Sequence, residues 1–115
     1  MKTFKFHHFD VIMYVGHYHD GKPLIAMISA ATNNNRSFDV FSGEVIAKCT
    51  VNVTDRLAPG TVAIKSWSEN VGMLAFFEDN DIGMFTGEVI QQQQQGFEHA
   101  DVIRLSEWFR EKHSI

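Results

Sequence analysis

Apolar and polar residues alternate from the start of the chain. In TFKFHHF, Phe4 and Phe6 fall on one side and Lys5 and His7 on the other, the two-residue period of a strand. VIMYVGHY and LIAMISA are rich in β-formers and apolar residues, and HDGKP lies between them. Asp20-Gly21 predicts a tight turn, because glycine accepts a positive φ, so the two runs read as a hairpin. TNNNRS then predicts a loop without an apolar anchor. FDVFSGEVIAKCTVNV predicts a second hairpin about Ser42-Gly43, with Val45, Ala47, Cys49, Val51 and Val53 on one face of its return strand. Cys49 in that stripe reads as a buried, inert thiol.

DRLAPG reads as a turn and TVAIK as a short strand. In the stretch that follows, IKSWSENVGML, Ser66 and Glu69 match a capping box, with Ser68 as the competing N-cap. Val71, Leu74 and Phe77 then fall at helical spacing as a core-facing stripe, with Ala75 beside them. Gly72 weakens such a helix by about 1 kcal/mol relative to alanine, which suggests close packing or a short element. The helix is expected to stop near Asn80, and DIGMFTG returns as a strand. EVIQQQQQGFEHADVIRL predicts a third hairpin turning near Gln95-Gly96, its glutamines forming either an exposed ribbon or a looser loop. SEWFREKH predicts a short closing helix with Ser106 as N-cap and Trp108 and Phe109 as anchors. Lys112 and His113 suit its negative end.

YHDGKPLIAMIS, GEVIAKCTVNV, AIKSWSENVGML and GFEHADVIRL together resemble a family of small bacterial and mobile-element proteins, domain of unknown function 4313. The resemblance runs from about Tyr18 to Leu105, and its most specific pieces are Thr50, Val51, Asn52, Lys65, Glu69, Asn70 and Gly72. The glutamine tract and the tryptophan and phenylalanines of the helix segment depart from that pattern. The resemblance implies a fold and a bacterial or mobile-element setting, and no reaction.

At 115 residues the chain is expected to form one domain, 1–115, able to bury about two-thirds of its unfolded surface without a disulfide or metal staple. One cysteine and no signal peptide fit a cytoplasmic setting, and no apolar run reaches the ~20 residues of a membrane-spanning helix. The net charge of −4 is unevenly spread. Between Lys65 and Arg104 there is no Lys or Arg, while Glu69, Glu78, Asp79, Asp81, Glu88, Glu98 and Asp101 give −7. Such a one-sign region repels nucleic acid and attracts a basic partner.

Candidate chemistry in the sequence falls into three kinds. A Ser–Lys nucleophile at Lys65, Ser66 and Ser68 lacks any Ser-x-x-Lys or Gly-x-Ser-x-Gly frame, and a capping hydroxyl is already engaged. His17 and His19, two apart on one strand face, could bind a metal with His7 or His8 as a third ligand, but nothing fixes that ligand. No glycine-rich loop opens a helix to cradle phosphate, and basic residues form no stripe with aromatics.

The expected fold is therefore α+β, a largely antiparallel sheet of six or seven short strands with one main helix and a short C-terminal helix. The expected function is non-enzymatic and needs no cofactor: binding of a basic protein partner through Glu69, Asn70, Glu78, Asp79, Asp81 and Glu88. In the mobile-element setting this becomes inhibition of a host nucleic-acid-binding or defence complex, without direct binding to nucleic acid or membrane. The alternative is a metal-binding protein or metal-dependent hydrolase built on His17, His19 and His7.

Overall fold

A computed structural model describes residues 2–91 and 99–115. The Phe4–Phe6 alternation forms β1, which turns at His7-His8 into the long β2, Phe9–His17. β3, Pro23–Ser29, returns across the Asp20-Gly21 turn, with Val11 opposite Ser29 and His17 opposite Pro23. A short α1, Asn33–Arg36, precedes β4, Val45–Lys48. β5, Thr61–Ile64, leads through a 3-10 turn, Ser68–Asn70, to the main helix α2, Met73–Asp79. β6, Gly83–Ile90, and β7, Ala100–Leu105, pair with each other, and α3, Glu107–His113, closes the fold. The α+β class is as the sequence predicts. Residues 92–98, which carry Glu98 and the rest of the glutamine tract after Gln91, lie outside the described residues.

The seven strands divide into two antiparallel sheets, β1-β2-β3-β4 and β5-β7-β6. Residues Cys49–Val51 join them. The Cys49 N–H donates to Ile25 O (2.8 Å) on β3, whereas Lys65 N–H donates to Cys49 O (2.8 Å) and Val51 N–H to Ala63 O (3.0 Å). With the Thr50–Ile64 bridge, these bonds pass the chain from one sheet to the other without leaving the backbone groups unpaired.

The main core gathers residues of both sheets. Val11 and Met13 of β2, Ile25 and Met27 of β3, and Ala47 and Cys49 face Val62, Ile64, Ile103 and Leu105 of the second sheet. α2 inserts Met73, Phe76 and Phe77, and the Phe76 ring meets Phe4 (5.9 Å) and Phe6 (5.5 Å) edge to face. Full burial of Phe77 alone contributes about 1.5–3 kcal/mol. A second cluster, Val53, Ala63, Ile90, Ala100 and Val102, covers the other face of the second sheet. That is why TVAI is buried at every position and shows no alternation.

Three expectations are corrected. TNNNRS forms α1 and is not a loop: Thr32 Oγ1 accepts from Asn35 N–H (3.2 Å), and the Asn35 amide is wholly buried against β2. The second hairpin is absent, because β4 pairs back onto β3 and FDVF forms no strand. Gly43, at φ 87°, instead turns the chain so that its N–H donates to Ser29 O (3.0 Å).

The capping box also fails. Ser66 Oγ lies 3.1 Å from Asp101 Oδ2, Ser68 makes no side-chain cap, and α2 starts only after Gly72 at φ 92°. Gly72 breaks the chain conformation between the 3-10 turn and the helix, so Val71 points outward at 62% exposure and is no part of the core stripe. The C-terminal helix follows the sequence reading, with Ser106 at its N-cap and Arg110, Lys112 and His113 in its last turn.

Candidate functional site: an acidic and apolar edge

The corner between α2 and β6 gathers most of the acidic residues singled out by sequence. α2 ends at Asp79, and Asp81, at φ 56°, reverses the chain. The corner is pinned by Ile82 N–H donating to Phe77 O (2.8 Å) and by Trp108 Nε1 donating to Asp81 O (2.6 Å). Gly83 lets β6 approach β7 closely, since a Cβ there would sit 2.9 Å from Arg104 O. Glu78, Asp79 and Asp81 are consequently exposed together at the helix end, where the dipole disfavours negative charge. Among the described residues no lysine or arginine is ion-paired to them or to Glu88. Folding does bring one exposed cation near, because Arg104 of β7 stands opposite Met84.

Glu78 has a structural task as well. Its carboxylate accepts the Phe85 N–H (3.1 Å). β6 is the outer strand of its sheet, and this bond occupies a donor that would otherwise lie open on the edge. Further along, the register shifts between Phe85 and Val89: Phe85 pairs with Ile103 and Val89 with Asp101. Gly87, at φ 89°, makes this bulge possible, and Thr86 Oγ1 donates to Val102 O (2.9 Å) while accepting from Glu88 N–H (3.1 Å). Met84 and Phe85 precede the bulge in regular register and project from opposite faces of this outer strand, and Val89 follows the bulge. Met84, Phe85 and Val89 are 67%, 38% and 45% exposed, beside the carboxylate of Glu88. These three apolar residues escape sequence reasoning because alternation on an edge strand predicts that half of them face the core.

One of the predicted partner-binding residues does not join this edge. Asn70 is completely buried: its Nδ2 donates to Lys48 O (2.6 Å) and Lys65 O (3.2 Å), tying the 3-10 turn to the junction between the sheets. It is a cross-brace and not a contact residue. Glu69 lies in the same 3-10 turn, and its side chain falls outside the described residues.

The histidines do not converge. His7 sits at the β1–β2 turn with φ 54°, stacked on Phe6 (4.1 Å), its Nε2 2.9 Å from Val71 O. His17 ends β2 and His19 lies in the next turn, both exposed. The nine residues of β2 separate His7 from His17 by roughly 26 Å. No group of three or more His, Cys, Asp or Glu among the described residues is placed to hold a metal ion. Cys49 is fully buried, and burial pushes its thiol well above the ordinary range, so it is no nucleophile at neutral pH. Likewise, no helix among the described residues is long and apolar enough to cross a membrane.

The chain matches no protein-family model, no curated protein and no solved structure in the comparisons made.

Proposed function

We propose that the protein is a non-enzymatic binding module whose working surface is the α2–β6 edge. One observation carries the reading: four exposed carboxylates, Glu78, Asp79, Asp81 and Glu88, share the end of α2 and the outer strand β6 with three exposed apolar side chains, Met84, Phe85 and Val89. Carboxylates around an apolar strip suit a basic protein partner. Charge steers the encounter, and apolar burial then holds the complex. Glu78 blunts the open edge, so recognition runs through side chains and not through strand addition.

In its most concrete form the partner is a host nucleic-acid-binding or defence protein, with the carboxylates standing where phosphates would lie in its basic groove. The test is capture from the native host's lysate by immobilised protein, at low and high salt. The same capture is run with a variant carrying Glu78→Gln, Asp79→Asn, Asp81→Asn and Glu88→Gln. The expected result is a basic protein retained at low salt, released at high salt and lost with the variant. Equal retention by the variant at both salt levels would remove this surface from consideration.

A further inference from the structure

A pocket of about 220 Å³ opens where the two sheets meet, and it shares no residue with the acidic edge. Its wall is aliphatic, chiefly Val51, Leu57, Val62, Leu105 and Ile115. Its charged side chains are all basic. Lys22, Arg56 and Arg110 face it, and no aspartate or glutamate is among the described residues that line it. In a protein of net charge −4, three cations gathered around one aliphatic cavity are a specific feature.

The three cations are not equivalent. The Lys22 ammonium donates to Val53 O and lies 3.5 Å from Asp20 Oδ2, so its charge is largely answered. Arg110 uses its Nε on the Ile115 oxygen (3.4 Å), which leaves its two Nη groups. The guanidinium lies over Gly60, where a Cβ would come within 2.8 Å of Nη1 and 2.9 Å of Cζ. Gly60, at φ 81°, therefore keeps the space the flat guanidinium occupies, and any side chain there would displace it. Arg56 stands exposed on the loop at the rim. Opposite, the Tyr18 hydroxyl is fixed by Thr50 O (3.2 Å) and Thr50 Oγ1 (3.0 Å), and Thr50 Oγ1 also accepts from Ile25 N–H (3.1 Å).

We infer that this pocket binds a small organic anion, a carboxylate on a short aliphatic body. The carboxylate meets Arg110 and Arg56, whose planar forks match its two oxygens, and the body lies against Val62, Leu105 and Ile115. A chain of a few carbons fits against the aliphatic wall of a cavity of about 220 Å³. Its aliphatic lining would gain nothing from a bare inorganic anion.

The test is calorimetric titration of the intact protein at low salt with sodium hexanoate, hexan-1-ol and inorganic phosphate. Saturable one-to-one binding of hexanoate is expected, with hexan-1-ol and phosphate each at least about tenfold weaker. Arg110→Gln and Arg56→Gln should each weaken hexanoate by about tenfold, since each removes charge-assisted hydrogen bonds. Arg56 is exposed on its loop, so Arg56→Gln keeps the test valid if Arg110→Gln lowers the melting temperature. No saturable hexanoate binding, phosphate binding as tightly as hexanoate, or unchanged affinity in Arg56→Gln would overturn the assignment.

Discussion

Asn35 completes the backbone of Asp10 as a neighbouring strand would. Its Oδ1 accepts the Asp10 N–H (2.8 Å), and its Nδ2 donates to Asp10 O (2.7 Å) and to Ala30 O (2.9 Å). The amide is wholly buried; Asp10 O also accepts the Ala30 N–H (3.0 Å) and Ala30 O the Thr32 N–H (3.1 Å), so the Asp10 N–H is the group that depends on Asn35. Asn35→Ala should therefore destabilise the protein by about 1–3 kcal/mol, the cost of leaving the Asp10 N–H without its acceptor. The measurement is urea denaturation followed by circular dichroism. A loss below about 1 kcal/mol would show that α1 is dispensable to the first sheet.

The carboxylate of the same Asp10 is set by Lys5 first, at 2.7 Å, and then by Thr32 Oγ1 at 2.8 Å, and these hold it below the ordinary aspartate range. A group whose value is lowered by folding contributes stability above its unfolded value, about pH 3.9, and loses it as pH falls through the folded value. Wild-type stability should thus decline below about pH 4 more steeply than that of Asp10→Asn. Parallel acid limbs in the two proteins would show that the Lys5 pair has no weight.

Gly72 decides where the main helix begins. Its φ of 92° is a conformation that costs an L-residue roughly 1–2 kcal/mol, so Gly72→Ala should destabilise by about that amount. Open space surrounds the position, so the penalty is backbone strain and not a clash. Ser68→Ala should be nearly silent, because Ser68 caps nothing. Equal costs at the two positions, by chemical denaturation, would contradict this account.

Local pattern carried much of the fold and little of the candidate site. The Phe4–Phe6 alternation, the Asp20-Gly21 turn and the closing helix after Ser106 depend on neighbours in sequence, and all three were legible. Asn35 was not. Its partner at Asp10 lies 25 residues away, and nothing in TNNNRS advertises a buried amide. Asn70 misled for the same reason: a polar residue beside Glu69 reads as surface until Lys48 O and Lys65 O are brought to it. The acidic edge was half legible. Charge can be counted along a chain, but the exposure of Met84, Phe85 and Val89 follows from the place of β6 at the sheet edge, which only strand pairing reveals. The basic pocket joins Lys22, Arg56 and Arg110 from three separated segments, and no spacing rule links them.

Cys49 offers a check on the core at the sheet junction. It is fully buried beside the segment that passes the chain between the sheets. Iodoacetamide should leave it unmodified in the native protein and label it fully in urea, with mass spectrometry as the readout. Native labelling faster than global unfolding would mean that the junction opens on its own.

The acidic and apolar parts of the α2–β6 edge should separate kinetically once a partner is captured. Exposed carboxylates act at long range, within a screening length of about 8 Å at physiological ionic strength, and chiefly raise the association rate. Asp79→Asn with Asp81→Asn should therefore slow association and flatten its salt dependence, leaving dissociation nearly unchanged. Removing these charges also relieves repulsion at the helix end, so stability should hold or rise slightly. Glu78 is kept out of this pair because its carboxylate also accepts the Phe85 N–H, and changing it would mix the two effects. Met84→Ser with Val89→Ser removes apolar area without altering charge. That pair should speed dissociation at least about tenfold, the equivalent of 1.4 kcal/mol, and leave association within a factor of about two. Surface plasmon resonance with the captured partner reads both rates. A serine pair that leaves dissociation unchanged would confine the interface to charge alone, and an asparagine pair that leaves association unchanged would place it elsewhere on the molecule.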